Sequence, residues 1–189
     1  GSLTSVERVR RVPLLTDVAP VGYHGWLDDH RLGLFVLGSP PTLQLADVSL
    51  QSAEILAESI GRSIHVTPDG SAVSFVSKPD SGPWTIDRIE LETRDRRTLV
   101  PTLDGSEDFV WTPMGELLMG RGSVLFVADP RAESPTWRPI ADLAEHGVTG
   151  ITRLDVSSDL SWLAVVGERG ASEPPAERSR RSFRLRRTP

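Results

Sequence analysis

Four stretches of this chain repeat one pattern, a short strand, a tight turn and a second, apolar strand. They are HGWLDDHRLGLFVL from His24, HVTPDGSAVSFV from His65, VWTPMGELLMG from Val110 and LDVSSDLSWLAVVG from Leu154. Their second strands begin at Arg31, Ser71, Glu116 and Ser161, so successive copies are offset by 40, 45 and 45 residues. Unrelated hairpins would not keep such spacing. A strand-rich unit of this length cannot bury both of its faces alone, so it must stack on copies of itself.

Each unit extends beyond its hairpin. The first continues with PTLQLADV (Pro41 to Val48) and AEILAES, the second with TIDRIELET (Thr85 to Thr93) and RRTLV, the third with SVLFVADP (Ser123 to Pro130) and TWRPIADL. These runs are alternating or β-branched, with Gly, Pro, Asp and Ser between them, which makes four short strands per unit. The sequence therefore predicts an all-β fold of four-stranded antiparallel β-propeller blades. The turn Pro68-Asp69-Gly70 combines a preset φ, a side chain that bonds its own backbone and a residue tolerant of positive φ. Met114-Gly115 and Asp159-Leu160 are degenerate versions of it. The segment Pro139 to His146 is the one place where a short helix is expected.

The TPDG and TPMG turns, each between a strand and an apolar strand, resemble the TolB-type (WD40-like) propeller repeats, whose blades carry a W-S-P-D-G motif before an apolar strand. The resemblance covers roughly Gly22 to Gly167, and the turns at Asp28-Asp29 and Ser158-Asp159 depart from the motif. It implies a propeller and leaves function open, because propellers serve as binding scaffolds, hydrolases and lyases alike.

A closed ring of six or more such blades needs well over about 240 residues, and this chain has 189. The repeats divide it into blades at 22–59, 60–105 and 106–147 and a half-blade at 148–167, a half-propeller that reads as a truncated fragment. An open arc exposes apolar faces and strand edges, so a homodimer closing a ring of six to eight blades is expected. In segment 1–21, Gly1 and Ser2 look like a tag scar, and Val6 to Leu15 resembles the outermost strand RDRRTLVP at Arg94 to Pro101. The segment 168–189 is rich in Arg, Ser and Pro and reads as disordered. From Arg169 onward it holds seven Arg against two Glu, so with a whole-chain charge of −5 the body carries about −10. Phe183 is its one aromatic residue for base stacking, which argues against nucleic-acid binding.

There is no cysteine, so neither disulfides nor thiolate chemistry are available and the compartment, periplasmic or cytoplasmic, is left open. No run of 18 apolar residues suggests a membrane span. Of 21 cationic residues only Lys78 is a lysine, the mark of a GC-rich, bacterial coding sequence. No G-x-S-x-G, Walker or G-x-G-x-x-G pattern occurs, so no nucleotide cofactor is expected.

In a propeller the first strand of each blade lines the central channel, and its opening residues sit at the mouth. Aligning the four first strands on Trp26, Val66, Trp111 and Val156 brings together Tyr23 and His24; Arg62, Ser63 and His65; Glu107 and Asp108; and Thr152, Arg153 and Asp155. Imidazole with carboxylate suits a divalent metal, zinc or manganese, that would activate water for attack on a phosphoester, phosphotriester or activated ester. The candidate ligands are His24, His65, Glu107 and Asp108, with His24 and Asp108 catalytic and Arg62 and Arg153 stabilising developing negative charge. This is the metal-assisted hydrolase reading. The alternative is a TolB-like, non-catalytic scaffold for a protein or peptide. In that case channel side chains bind water and Asp108 with Arg153 is an inter-blade ion pair. His24 and His65 are one register apart, which points them to opposite faces unless a bulge intervenes. Trp26 and Trp111 occupy equivalent positions that fill the gap between blades.

Overall fold

The computed structural model of the protein describes residues 14–170 and the backbone of 182–184. Three four-stranded antiparallel sheets and one three-stranded sheet follow each other along the chain, each with its strands in sequential order. Blade 1 comprises β1 (Val21–Trp26), β2 (Arg31–Val36), β3 (Thr42–Asp47) and β4 (Ser52–Glu58). Blade 2 comprises β5 (Ile60–Val66), β6 (Ala72–Ser77), β7 (Thr85–Glu90) and β8 (Arg96–Pro101). Blade 3 comprises β9 (Phe109–Trp111), β10 (Leu117–Arg121), β11 (Val124–Ala128) and β12 (Arg138–Asp142). Blade 4 comprises β13 (Val148–Val156), β14 (Trp162–Arg169) and β15 (Ser182–Arg184). The all-β, blade-by-blade architecture is the one the repeat spacing predicts. No sheet closes on itself and the described residues form part of a ring.

The pairing fixes the equivalence of the blades. Trp26, Val66, Trp111 and Val156 each end a first strand opposite Leu32, Val73, Leu117 and Leu163. Two residues earlier, on the same face, the first-strand residues opposite Leu34, Phe75, Met119 and Val165 are His24, Ile64, Phe109 and Leu154.

Cohesion comes from the seams between blades. Phe35, Leu43 and Leu45 of blade 1 pack on Ile60, Val73, Phe75 and Ile89 of blade 2. Val76, Ile86 and Leu99 of blade 2 meet Phe109, Leu117 and Met119 of blade 3. Val110, Leu118 and Leu125 of blade 3 meet Ile151, Leu163 and Val165 of blade 4. Each fully buried large apolar side chain contributes on the order of 1.5–3 kcal/mol. At the third seam the blades approach so closely that a Cβ on Gly120 would lie 2.4 Å from Ile151. The far side of blade 1, Leu32, Leu34 and Val36, is covered by the chain's own Leu15 and Val18. Among the described residues nothing covers the far side of blade 4, where Trp162, Ala164 and Val166 are exposed.

The turns explain the repeat. Asp69 accepts hydrogen bonds from the Ser71 amide and from the Thr67 and Ser71 hydroxyls, which hold its carboxyl down at about 2. Gly70 adopts the left-handed φ of 71° that the turn requires. In blade 1 Asp28, despite its departure from the motif, does the same work by accepting from the His30 and Arg31 amides. In blade 4 Leu160 takes a φ of 58° where blade 2 has glycine.

Two sequence expectations need correction. The apolar run Pro139 to His146 is not a helix, because its first part pairs in β12 with β11, around a bulge that disturbs the strand alternation. Only Ala144–His146 makes a 3-10 turn, closed by Gly147 at φ 70°. Blade 4 does not stop at Gly167, since β14 runs to Arg169 and Ser182–Arg184 pairs along Trp162–Ala164, satisfying backbone groups that a two-stranded half-blade leaves open. Gly1 and Ser2, most of the Val6 to Leu15 segment and most of the 168–189 tail lie outside the described residues.

Candidate functional site

At the end where the first strands begin, side chains from all four blades link into one network centred on a carboxylate. Asp108, which precedes β9, accepts from Arg62 Nη2 of blade 2 at 2.6 Å and from Arg153 Nη1 of blade 4 at 2.8 Å. Arg153 Nη2 reaches across to the Tyr23 hydroxyl of blade 1 at 3.0 Å, and its guanidinium lies 5.2 Å from that ring's centroid. Asp108 is mostly buried, with its side chain 13% exposed.

Glu107 extends the network. Its carboxylate lies 3.4 Å from Arg62 Nη1 and 3.0 Å from Lys78 Nζ, and Lys78 sits 3.9 Å above the Trp84 ring. Gly61 makes room for this carboxylate, since a Cβ there would come within 2.8 Å of Glu107 Oε2. Beside the network lies a cavity of about 150 Å3, lined by Arg62, Trp84, Glu107, Asp108 and Arg153 among others. Three cations thus share two carboxylates, and each carboxylate is held by two of them.

Of the residues singled out in the sequence, Arg62, Glu107, Asp108 and Arg153 come together, and the two histidines do not join them as ligands. His24 is exposed at the position that Ile64, Phe109 and Leu154 fill in the other blades, the one that packs between blades. His65 is half-buried, its ring edge-on to Phe109 at 4.8 Å between centroids and its Nε2 3.1 Å from Ser63 Oγ. Ser63 donates to the Phe109 carbonyl and accepts from the Phe109 amide, so the imidazole Nε2–H is left to donate to the Ser63 oxygen. Burial pushes the His65 pKa below its ordinary value, an effect that the Asp155 charge partly opposes.

Both carboxylates already neutralise guanidinium or ammonium partners, which a zinc or manganese ion would have to displace. Among the described residues no three of His, Asp and Glu gather closely enough to hold a metal. Lys78 and Trp84 belong to the site and were missed, because they flank the connection from β6 to β7, which arrives at the same end as the strand openings. That Lys78 is the single lysine of the chain is the one sequence signal that marks it.

The chain matches no protein-family model, and no curated protein matches it. Solved structures match it as part of a β-propeller. TolB from Acinetobacter baumannii is 21% identical with a TM-score of 0.55, over 85% of this chain and 40% of that one. An oligogalacturonate lyase in complex with manganese is 15% identical with a TM-score of 0.59, over 77% of this chain and 44% of that one. The β-propeller domain of the trilobed protease from Pyrococcus furiosus, described as having an open velcro topology, is 11% identical with a TM-score of 0.55, over 87% and 56%. The chain thus spans about two fifths to just over half of these structures, and at such identities the likeness is one of fold.

Proposed function

We propose that the protein is a non-catalytic propeller scaffold that holds a protein or peptide partner. One observation carries this reading: the polar side chains where the four blades meet neutralise one another rather than leaving a base or a ligand set free. A general base must present an unengaged lone pair to the proton it removes. Asp108 spends its oxygens on Arg62 and Arg153, and Glu107 spends its own on Arg62 and Lys78. The excess of one cation suits an acidic partner surface. Dialysis against zinc and manganese, followed by metal analysis and hydrolysis assays on p-nitrophenyl phosphate, p-nitrophenyl acetate and a phosphotriester, tests the reading. No stoichiometric metal and no chelator-sensitive turnover are expected. Stoichiometric metal with turnover lost in His24→Ala would replace the scaffold by the hydrolase.

We further propose a second copy of the chain as the occupant of the bare face of blade 4. Inside the chain Trp111 crosses the seam from blade 3 and donates to Ser74 of blade 2 at 2.8 Å. Trp26 is equivalent to Trp111, and Ala164, opposite Asp155, is equivalent to Ser74, opposite His65. Trp26 of one copy would thus lie over Ala164 of the other. Ring closure this way requires Leu15 and Val18 to lift from blade 1 and Tyr23 to release Arg153. Light scattering is expected to show a dimer at micromolar concentration that Trp26→Ala dissociates, and a folded monomer would overturn the assembly.

A further inference from the structure

At the opposite end of the blades, between blades 2 and 3, the turn Thr67 to Asp69 and the turn Pro113 to Gly115 border an open groove of about 360 Å3. That volume falls within the range of about 300–1,000 Å3 typical of ligand sites. Its apolar wall includes Leu99, Trp111 and Met114, whose side chain is 65% exposed. A thioether held out in solvent beside an indole offers an adaptable, polarizable contact.

The same groove is lined by Arg88, Arg97 and Arg131. Arg131 is engaged by Asp129 at 2.8 Å. Arg88 and Arg97 stand directly opposite each other in the β7–β8 ladder, an unfavourable placement for like charges. Arg88 Nη2 reaches Glu90 at 2.7 Å and Ser71 Oγ at 3.0 Å, but its Nε is buried without a hydrogen-bond partner. Arg97 is exposed and makes no hydrogen bond or ion pair within the described residues. A carboxylate entering the groove would pair with the exposed Arg97 and offset the repulsion between it and Arg88 across the ladder. Arg97 and Leu99 both lie on β8, the edge strand of the blade 2 sheet, beside whose outer side no strand lies among the described residues. An extended chain can lie along such an edge.

We propose that this groove binds a peptide segment that presents an acidic side chain to Arg88 and Arg97 and a neighbouring apolar side chain to Trp111 and Met114. The scaffold reading concerns the other end of the blades, so metal-dependent turnover there would sink that reading and leave this one standing. Calorimetric titration with an end-blocked tetrapeptide containing Glu-Phe, its Gln-Phe counterpart and free phenylacetate tests the proposal. Saturable binding of the Glu-Phe peptide is expected, weakened about tenfold by the Gln-Phe exchange and by Arg97→Gln, and largely kept in Arg97→Lys. Because Arg97 is exposed and unpaired, its substitution should leave the fold intact, which circular dichroism can verify. Absence of saturation, or equal binding of the two peptides or to Arg97→Gln, would overturn the site. Phenylacetate binding as tightly as the peptide would overturn the peptide as occupant in favour of a free carboxylic acid.

Discussion

Phe109 and His24 hold the same place in two blades, opposite Met119 and Leu34 respectively, yet they live in different surroundings. Phe109 is 1% exposed in the seam between blades 2 and 3, whereas His24 is exposed on the side of blade 1 that no other blade covers. Trp111 and Trp26 repeat the contrast. The first crosses a seam to bond Ser74, and the second is 48% exposed. Register alone does not make a core position; a neighbouring blade has to arrive on that face.

Matched substitutions test this contrast most strongly at the phenylalanine. Phe109→Ala should destabilise the protein by about 3–5 kcal/mol through lost transfer energy and the cavity left behind. In the monomer His24→Ala should change stability by less than about 0.5 kcal/mol, as surface substitutions do. Urea denaturation of the two variants checks both figures, and comparable losses would mean that the blade 1 face is buried in solution. A smaller difference is expected at the tryptophans. Trp111→Phe removes the indole donor to Ser74 and should cost about 1 kcal/mol, while Trp26→Phe in the monomer should be neutral.

The smallest expected effect is one of pH and concerns His65. The folded-state pKa of His65 lies below its unfolded value of about 6.5, so below that pH the unfolded chain binds a proton that the folded one resists. Stability should be full above the unfolded value and fall as the pH drops through it toward the folded one. His65→Gln should flatten that slope in thermal melts across pH 7 to 5.

The repeat was legible because its spacing and turn chemistry are local. Asp69 and Gly70 declare the hairpin within a few residues, and the alignment on Trp26, Val66, Trp111 and Val156 matches the observed pairing. That alignment also brought Arg62, Glu107, Asp108 and Arg153 together. It could not tell an ion-pair network from a metal site, since the difference lies in which lone pairs are engaged, and it left out Lys78, which does not lie on a first strand. His24 stands apart from that network, at a strand position that faces a seam in blades 2 to 4. Pro139 to Asp142 was misread because a bulge in its pairing with β11 masks the two-residue alternation that marks a strand.

The bond between Arg153 and the Tyr23 hydroxyl joins residues 130 positions apart. Closing so long a loop is entropically costly, whereas each hairpin and each seam between consecutive blades joins nearer segments. The bond is therefore expected to form late, after the blades have stacked in sequence, and to be weakly developed in the transition state for folding. An interaction of that kind leaves the folding rate almost untouched and acts instead on the rate at which the native state opens. In the single chain Tyr23 is thus a latch on the lifetime of the fold rather than a guide to its formation.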